Sequence, residues 1–167
     1  MKIFKFGGAS VKDAEGVKNV LSVLEKVGYE DVLLVISAMG KTTNALEVVI
    51  KNYFDKSEAL NASVQEVRKY HNQILLELFE DDKHPVFKAI NSHFEDLDYF
   101  LSHNKSPNYN FVYDQVVSYG ELVSTTIVSH FFNYSGLKNN WIDVRQYIKT
   151  DATYRDALVD WEQTQKL

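Results

Sequence analysis

The sequence contains no cysteine in 167 residues. That absence excludes a disulfide scaffold, a thiolate zinc site and a cysteine nucleophile together. Positive charge is also scarce: 18 Lys and Arg against 23 Asp and Glu leave a formal charge of −5. Nucleic acid or an anionic membrane as main partner calls for clustered Lys and Arg, so neither is expected. Long apolar runs are missing too. The longest aliphatic stretch, Val32 to Ile36, falls far short of the ~20 residues that span a bilayer. The N-terminus alternates charged and apolar residues and reaches Gly7 at once, unlike a signal peptide, and the expectation is a cytoplasmic protein. Proline occurs only at 85 and 107, and no glycine falls between Gly40 and Gly120. A stretch so poor in both breakers reads as successive helices.

What is present is enough for a core: 45% apolar residues, with 2 Trp, 10 Tyr and 10 Phe. Such a composition is incompatible with intrinsic disorder. Residues 2–6 read as a short strand ending at Gly7-Gly8. Val17, Val20, Leu21, Leu24 and Val27 recur at helical spacing, and Gly28 stops that helix. Val32 to Ile36 is apolar on both faces, the pattern of a parallel strand buried on both sides. A polar turn, Ser37 to Gly40, leads to a helix opening near Thr42 or Thr43, either of which suits an N-cap. Further helical stripes run through Val64–Leu78, Val86–Leu101 and Val112–Phe131, with Pro85 at a helix start. Trp141 to Val144 is expected as a third strand, and a short helix is expected at the end. The layout is α/β, with a helical excursion of about 42–136 between the second and third strands.

In open parallel sheets, ligands lie beyond the carboxyl ends of the strands, where loops enter helix N-termini. Both glycine-bearing loops lie there. In Lys5-Phe6-Gly7-Gly8-Ala9-Ser10, two glycines let backbone N–H groups approach an anion, and Lys5 adds a full charge. The plainer alternative is a tight turn with a solvated lysine. Gly40-Lys41-Thr42 resembles the end of a P-loop, but that motif needs glycine at 35, where the chain has valine. A hydroxyl-rich turn remains, and capping alone does not need Ser37, Thr42, Thr43 and Asn44 together. Gly120 interrupts a helical pattern at a cost of ~1 kcal/mol against alanine, which marks close backbone approach. Glu121 beside it is either a solvated helix glutamate or a partner for an ammonium group. The five histidines show no metal-binding spacing, and His71 and His130 read as packed or hydrogen-bonded residues.

Together these segments resemble the N-terminal part of aspartate kinases of the amino-acid kinase family. Residues 5–11 read Lys-Phe-Gly-Gly-Ala-Ser-Val where that family has Lys-Phe-Gly-Gly-Thr-Ser-Val, so Ala9 alone departs. Ser37–Asn44, Ser118–Ser124 and Trp141–Arg145 match three later family segments in order. The resemblance implies a three-layer α/β/α, mainly parallel amino-acid-kinase fold, of which residues 1–167 are an incomplete N-terminal portion. It implies ATP-dependent phosphorylation of the side-chain carboxylate of L-aspartate, the opening step of lysine, threonine and methionine biosynthesis. Lys5 is the implied catalytic residue, with Lys5, Gly7, Gly8, Ser37 and Ala38 toward the ATP phosphates, and Thr43 and Glu121 toward aspartate. Mg2+ accompanies the nucleotide, with no metal ligand identifiable in the chain. The family's C-terminal nucleotide-binding half and regulatory domains do not occur in these residues, so the chain alone is expected to be inactive. A homodimer is compatible with the resemblance. The competing expectations are a different amino-acid kinase, or a non-catalytic amino-acid-binding or protein-interaction module presenting Phe87, Phe94, Tyr99 and Phe100.

Overall fold

A computed structural model describes all residues, 1–167. Strand β1 (Lys2–Phe6) is followed by a 3-10 turn over Gly8–Val11, helix α1 (Ala14–Val27) and strand β2 (Val32–Ile36). Four long helices come next: α2 (Thr42–Phe54), α3 (Leu60–Leu78), α4 (Pro85–His103) and α5 (Tyr109–Tyr134). A short helix, α6 (Trp161–Thr164), lies near the end. Local chemistry explains the boundaries. Asp13 caps α1 by accepting from the Gly16 N–H at 2.8 Å, which satisfies one of the unpaired donors of the first turn. Pro85 opens α4, where its missing N–H costs nothing. Asn108 caps α5 through the Phe111 N–H at 3.1 Å.

The two strands pair in parallel, with Phe4 opposite Leu34 and Phe6 opposite Ile36. Side chains alternate between the faces of a strand, so these four share one face. Phe4, Phe6 and Leu34 pack on the helical core, and Ile36 is buried within it. The other face carries Ile3, Leu33 and Val35, which are 62%, 39% and 45% exposed. The strand expected to be buried on both sides is therefore covered on one only. Its continuous apolar run conceals an alternation that only the second face could have revealed.

Two further expectations are corrected. Trp141 to Val144 forms no strand; the segment ends in a 3-10 turn over Val144–Gln146. Its polar groups have local partners instead. The Trp141 indole N–H donates to Thr125 Oγ1 on α5 at 2.9 Å, and Asp143 caps the turn through the Arg145 N–H at 3.1 Å. The segment is thus held on α5, and the only other pairing is an isolated antiparallel bridge, Thr150 with Val159. Neither Thr42 nor Thr43 is the N-cap of α2, which is Lys41. Thr42 is the first helical residue, and its hydroxyl donates back to the Met39 carbonyl at 2.6 Å.

The helices bury a continuous core that includes Leu46 and Ile50 of α2, Leu75 of α3, Phe94 and Leu97 of α4, and Ile127 of α5. Phe94 is buried, Phe87 and Phe100 are half-buried, and only Tyr99 of that quartet is exposed. Three members of the aromatic quartet considered as an interaction surface thus take part in the packing between helices. His71 is fully buried, its Nδ1 2.8 Å from the Val67 carbonyl, as expected of a packed histidine. No helix is long and apolar enough to cross a membrane.

Candidate functional site

The carboxyl ends of β1 and β2 emerge side by side, and the loops that leave them touch. Ser37 N–H donates to the Phe6 carbonyl at 3.1 Å and Gly40 N–H to the Gly8 carbonyl at 3.0 Å. A Cβ on Gly8 would stand 2.7 Å from the Ala38 carbonyl oxygen, so only glycine permits this approach. Gly40 adopts φ +53°, which lets the chain reverse from β2 into α2.

Helix α5 crosses the same turn. A Cβ on Gly120 would lie 2.9 Å from Ala38 Cβ and 3.4 Å from Leu46 Cδ1. The mid-helix glycine is therefore explained by close packing of α5 on the turn and on α2. One residue on, Glu121 Oε1 accepts the Ala38 N–H at 3.1 Å. One turn further, Ser124 Oγ donates to the Ser37 carbonyl at 2.7 Å. Residues more than 80 positions apart thus fix both sides of one short turn. Glu121 and Ala38, separately expected as an ammonium partner and a phosphate donor, are here bonded to each other.

The backbone N–H groups of Gly7, Gly8, Thr43 and Asn44 make no hydrogen bond within the chain. They lie on the loop after β1 and in the first turn of α2, which has no acidic residue. Aligned peptide dipoles place partial positive charge at that helix end. Gly7 has an ordinary extended conformation, φ −78° and ψ 169°, and a Cβ there would meet nothing within 4 Å. Neither backbone strain nor packing in this chain calls for glycine at position 7. Lys5 is exposed, pairs in register with Val35, and forms no ion pair or side-chain hydrogen bond. Thr43 is half-buried and its hydroxyl has no partner.

Gly8, Ala38, Gly120 and Glu121 stand out in the sequence, but two further contributors do not. Ser124 lay inside a recognised segment without a role. Tyr70 of α3, whose hydroxyl donates to the Lys12 carbonyl and sits against Gly40, carried no sequence signal at all. A tyrosine within a helical stripe looks like packing until the loops it reaches are known. No group of three or more His, Cys, Asp or Glu side chains is arranged to hold a metal ion.

The Amino acid kinase family model matches residues 1–167. The bifunctional aspartokinase/homoserine dehydrogenase 2 of Escherichia coli is 27% identical over 152 residues, 90% of this chain and 18% of that protein. The chloroplastic aspartokinase 1 of Arabidopsis thaliana is 31% identical over 159 residues, 89% of this chain and 26% of that one. Two solved structures of E. coli aspartokinase III share the fold. The complex with aspartate and ADP superposes with a TM-score of 0.84 at 22% identity, covering 100% of this chain and 36% of that one. The complex with lysine and aspartate gives 0.82 at 23% identity, over 99% and 36%. The chain spans 18% to 36% of the length of these relatives. With a helix-rich body, a small parallel sheet and a matching model over its whole length, the chain belongs to the amino acid kinase family.

Proposed function

We propose that this chain is the N-terminal portion of an aspartate kinase, supplying the loops that face the ATP phosphates and part of the aspartate site. The observation that carries the reading is the convergence of Gly8, Gly120 and Glu121 on Ala38, beside four unpaired backbone N–H groups. An arrangement of free donors at strand ends and a helix N-terminus suits anions. Glycine at position 7 also gains a reason, since a side chain there would stand between the loop and an approaching phosphate.

In the proposed reaction a side-chain carboxylate oxygen of L-aspartate attacks the γ-phosphorus of ATP. The bond from phosphorus to the bridging oxygen breaks, ADP leaves with the electron pair, and 4-phospho-L-aspartate forms. Phosphoryl transfer asks of a protein mainly positioning and charge stabilisation. Lys5 supplies positive charge to the transferring group, and Gly7 and Gly8 supply N–H donors. Ser37 and Ala38 shape the turn between them. With its N–H held by Glu121, Ala38 serves chiefly to orient that carboxylate, whose other oxygen is left to pair with the aspartate ammonium. Thr43, at the positive end of α2, takes a carboxylate of the same substrate. Magnesium bound with the nucleotide would offset phosphate charge, and no residue of this chain is assigned to hold it. The chain spans only 18% to 36% of the length of its relatives, and by itself it is expected to turn over little or nothing.

Calorimetry with L-aspartate and with ATP tests the reading. Glu121→Gln is expected to weaken aspartate binding at least tenfold while changing ATP binding less than threefold, and Lys5→Ala to do the reverse. A wild-type chain that binds neither ligand would overturn the assignment, and ATP- and aspartate-dependent hydroxamate formation by the isolated chain would overturn its inactivity.

A further inference from the structure

The two loops of the candidate site are spanned from behind by one side chain of the helical excursion. Tyr70 of α3 donates its hydroxyl to the carbonyl of Lys12, at the end of the 3-10 turn after β1. The same oxygen lies 2.5 Å from where a Cβ on Gly40 would stand, in the turn after β2. Gly40 in turn donates its N–H to the Gly8 carbonyl at 3.0 Å. Tyr70 therefore sits at the junction where the two loops are joined to each other. Burial, and then the Asp13 carboxylate, push the pKa of its hydroxyl up, and like any phenol it is protonated at neutral pH and able to donate.

The next residue acts on the neighbouring element. His71 Nδ1 faces the Val67 carbonyl at 2.8 Å; a carbonyl only accepts, so Nδ1 carries the ring proton. Nε2 lies 3.3 Å from Thr42 Oγ1, whose hydroxyl closes the turn onto the Met39 carbonyl. Two consecutive residues of α3 thus touch the loop after β1, the turn after β2 and the first residue of α2.

We propose that Tyr70 is a positioning residue of the anion-facing loops: its hydroxyl fixes the spacing between the Gly7–Gly8 N–H groups and those of Thr43 and Asn44. The inference rests on the function proposed above for those loops. It gives the excursion a task beyond filling a core, because α3 sets the geometry of a site to which it contributes no ligand-facing group.

Tyr70→Phe keeps the ring and removes only the hydroxyl. Hydrogen exchange on the 167-residue chain is expected to show the Ser10 and Gly40 amides, which bond the Gly7 and Gly8 carbonyls, exchanging at least tenfold faster. Core amides such as those of Val20 and Ile127 should stay within twofold. Tyr53→Phe is the control, since the Tyr53 hydroxyl also donates to a helix-end carbonyl, that of Asn104 at 3.0 Å, away from the site. It should leave Ser10 and Gly40 unchanged. Calorimetry with ADP should then show affinity lowered five- to tenfold by Tyr70→Phe and not by Tyr53→Phe. Unchanged loop exchange in Tyr70→Phe, equal acceleration in both variants, or looser loops with unaltered ADP affinity would each overturn the inference. A wild-type chain that binds neither ADP nor aspartate, with loops still released by Tyr70→Phe, would overturn the proposed function and leave the clamp standing.

Discussion

Lowering the pH from 7 to 5 is expected to remove about 2 kcal/mol of stability through one side chain, His71. The ring is fully buried, and burial, partly offset by its bond to the Val67 carbonyl, pushes its pKa from 6.5 down to about 4. No charged neighbour takes part. Below pH 6.5 the unfolded chain binds a proton that the folded chain refuses, so stability is complete above that value and falls as the pH drops toward 4. At about 1.4 kcal/mol per tenfold, the full effect is about 3 kcal/mol, large beside the 5–15 kcal/mol that holds a typical domain. Urea unfolding followed by circular dichroism at intervals from pH 7.5 to 4.5 measures it. With a slope of roughly 2 kcal/mol per molar, the midpoint should fall by about 1 M between pH 7 and 5 on account of His71. His93 and His130 are also held low by burial, and carboxylates titrate in the same range. A His71→Gln variant separates these contributions, because they are common to both proteins. The variant should start less stable at pH 7 and lose about 2 kcal/mol less on acidification. Parallel curves for the two proteins would show that His71 is protonated as easily inside the fold as outside it, and the reasoning would fail.

Gly120→Ala sets two effects against each other. Helix propensity favours alanine by ~1 kcal/mol, yet the new methyl would lie 2.9 Å from Ala38 Cβ, and overpacking costs about 1–3 kcal/mol. Thermal unfolding should show net destabilisation; a rise in midpoint would mean that α5 can move off the turn. Adjacent leucines of β2 should behave oppositely. Leu34→Ala, on the packed face, is expected to cost roughly 2–4 kcal/mol, whereas Leu33→Thr, on the open face, should stay within about 0.5 kcal/mol. Comparable losses in denaturant midpoint would contradict the assignment of faces.

Much of this architecture was legible because breakers and periodicity are local signals. Residues 2–6 and 32–36, the glycine after α1 and the proline opening α4 all announce themselves within a few positions. The helix boundary at Gly40 was legible, but its cap was not, since Thr42 is already the first helical residue and Lys41, which has no capping side chain, holds the cap position. Trp141 to Val144 misled because β-prone residues form a strand only when the fold brings them beside a sheet edge, and this segment is held on α5. Trp141 found Thr125 instead. In the candidate site, Gly120 and Glu121 could be singled out from the sequence as an oddity in a helix. Their common partner, the Ala38 turn, could not be found without the crossing of α5 over β2. Tyr70 was invisible for the same reason: its meaning lies in two loops brought to it by the fold.

The one-sided sheet bears on how this chain reaches its structure. A two-stranded ribbon in water is marginal at best, and this one has helices against a single face. Its pairing register is dictated by Phe4, Phe6, Leu34 and Ile36 seeking the same core, because a slip of either strand by one residue would turn that strand's pair outward. The strands therefore have little to gain from pairing before the helices have assembled. Helix packing should come first and strand pairing last, so the loops that leave β1 and β2 are among the final parts of the molecule to acquire their shape.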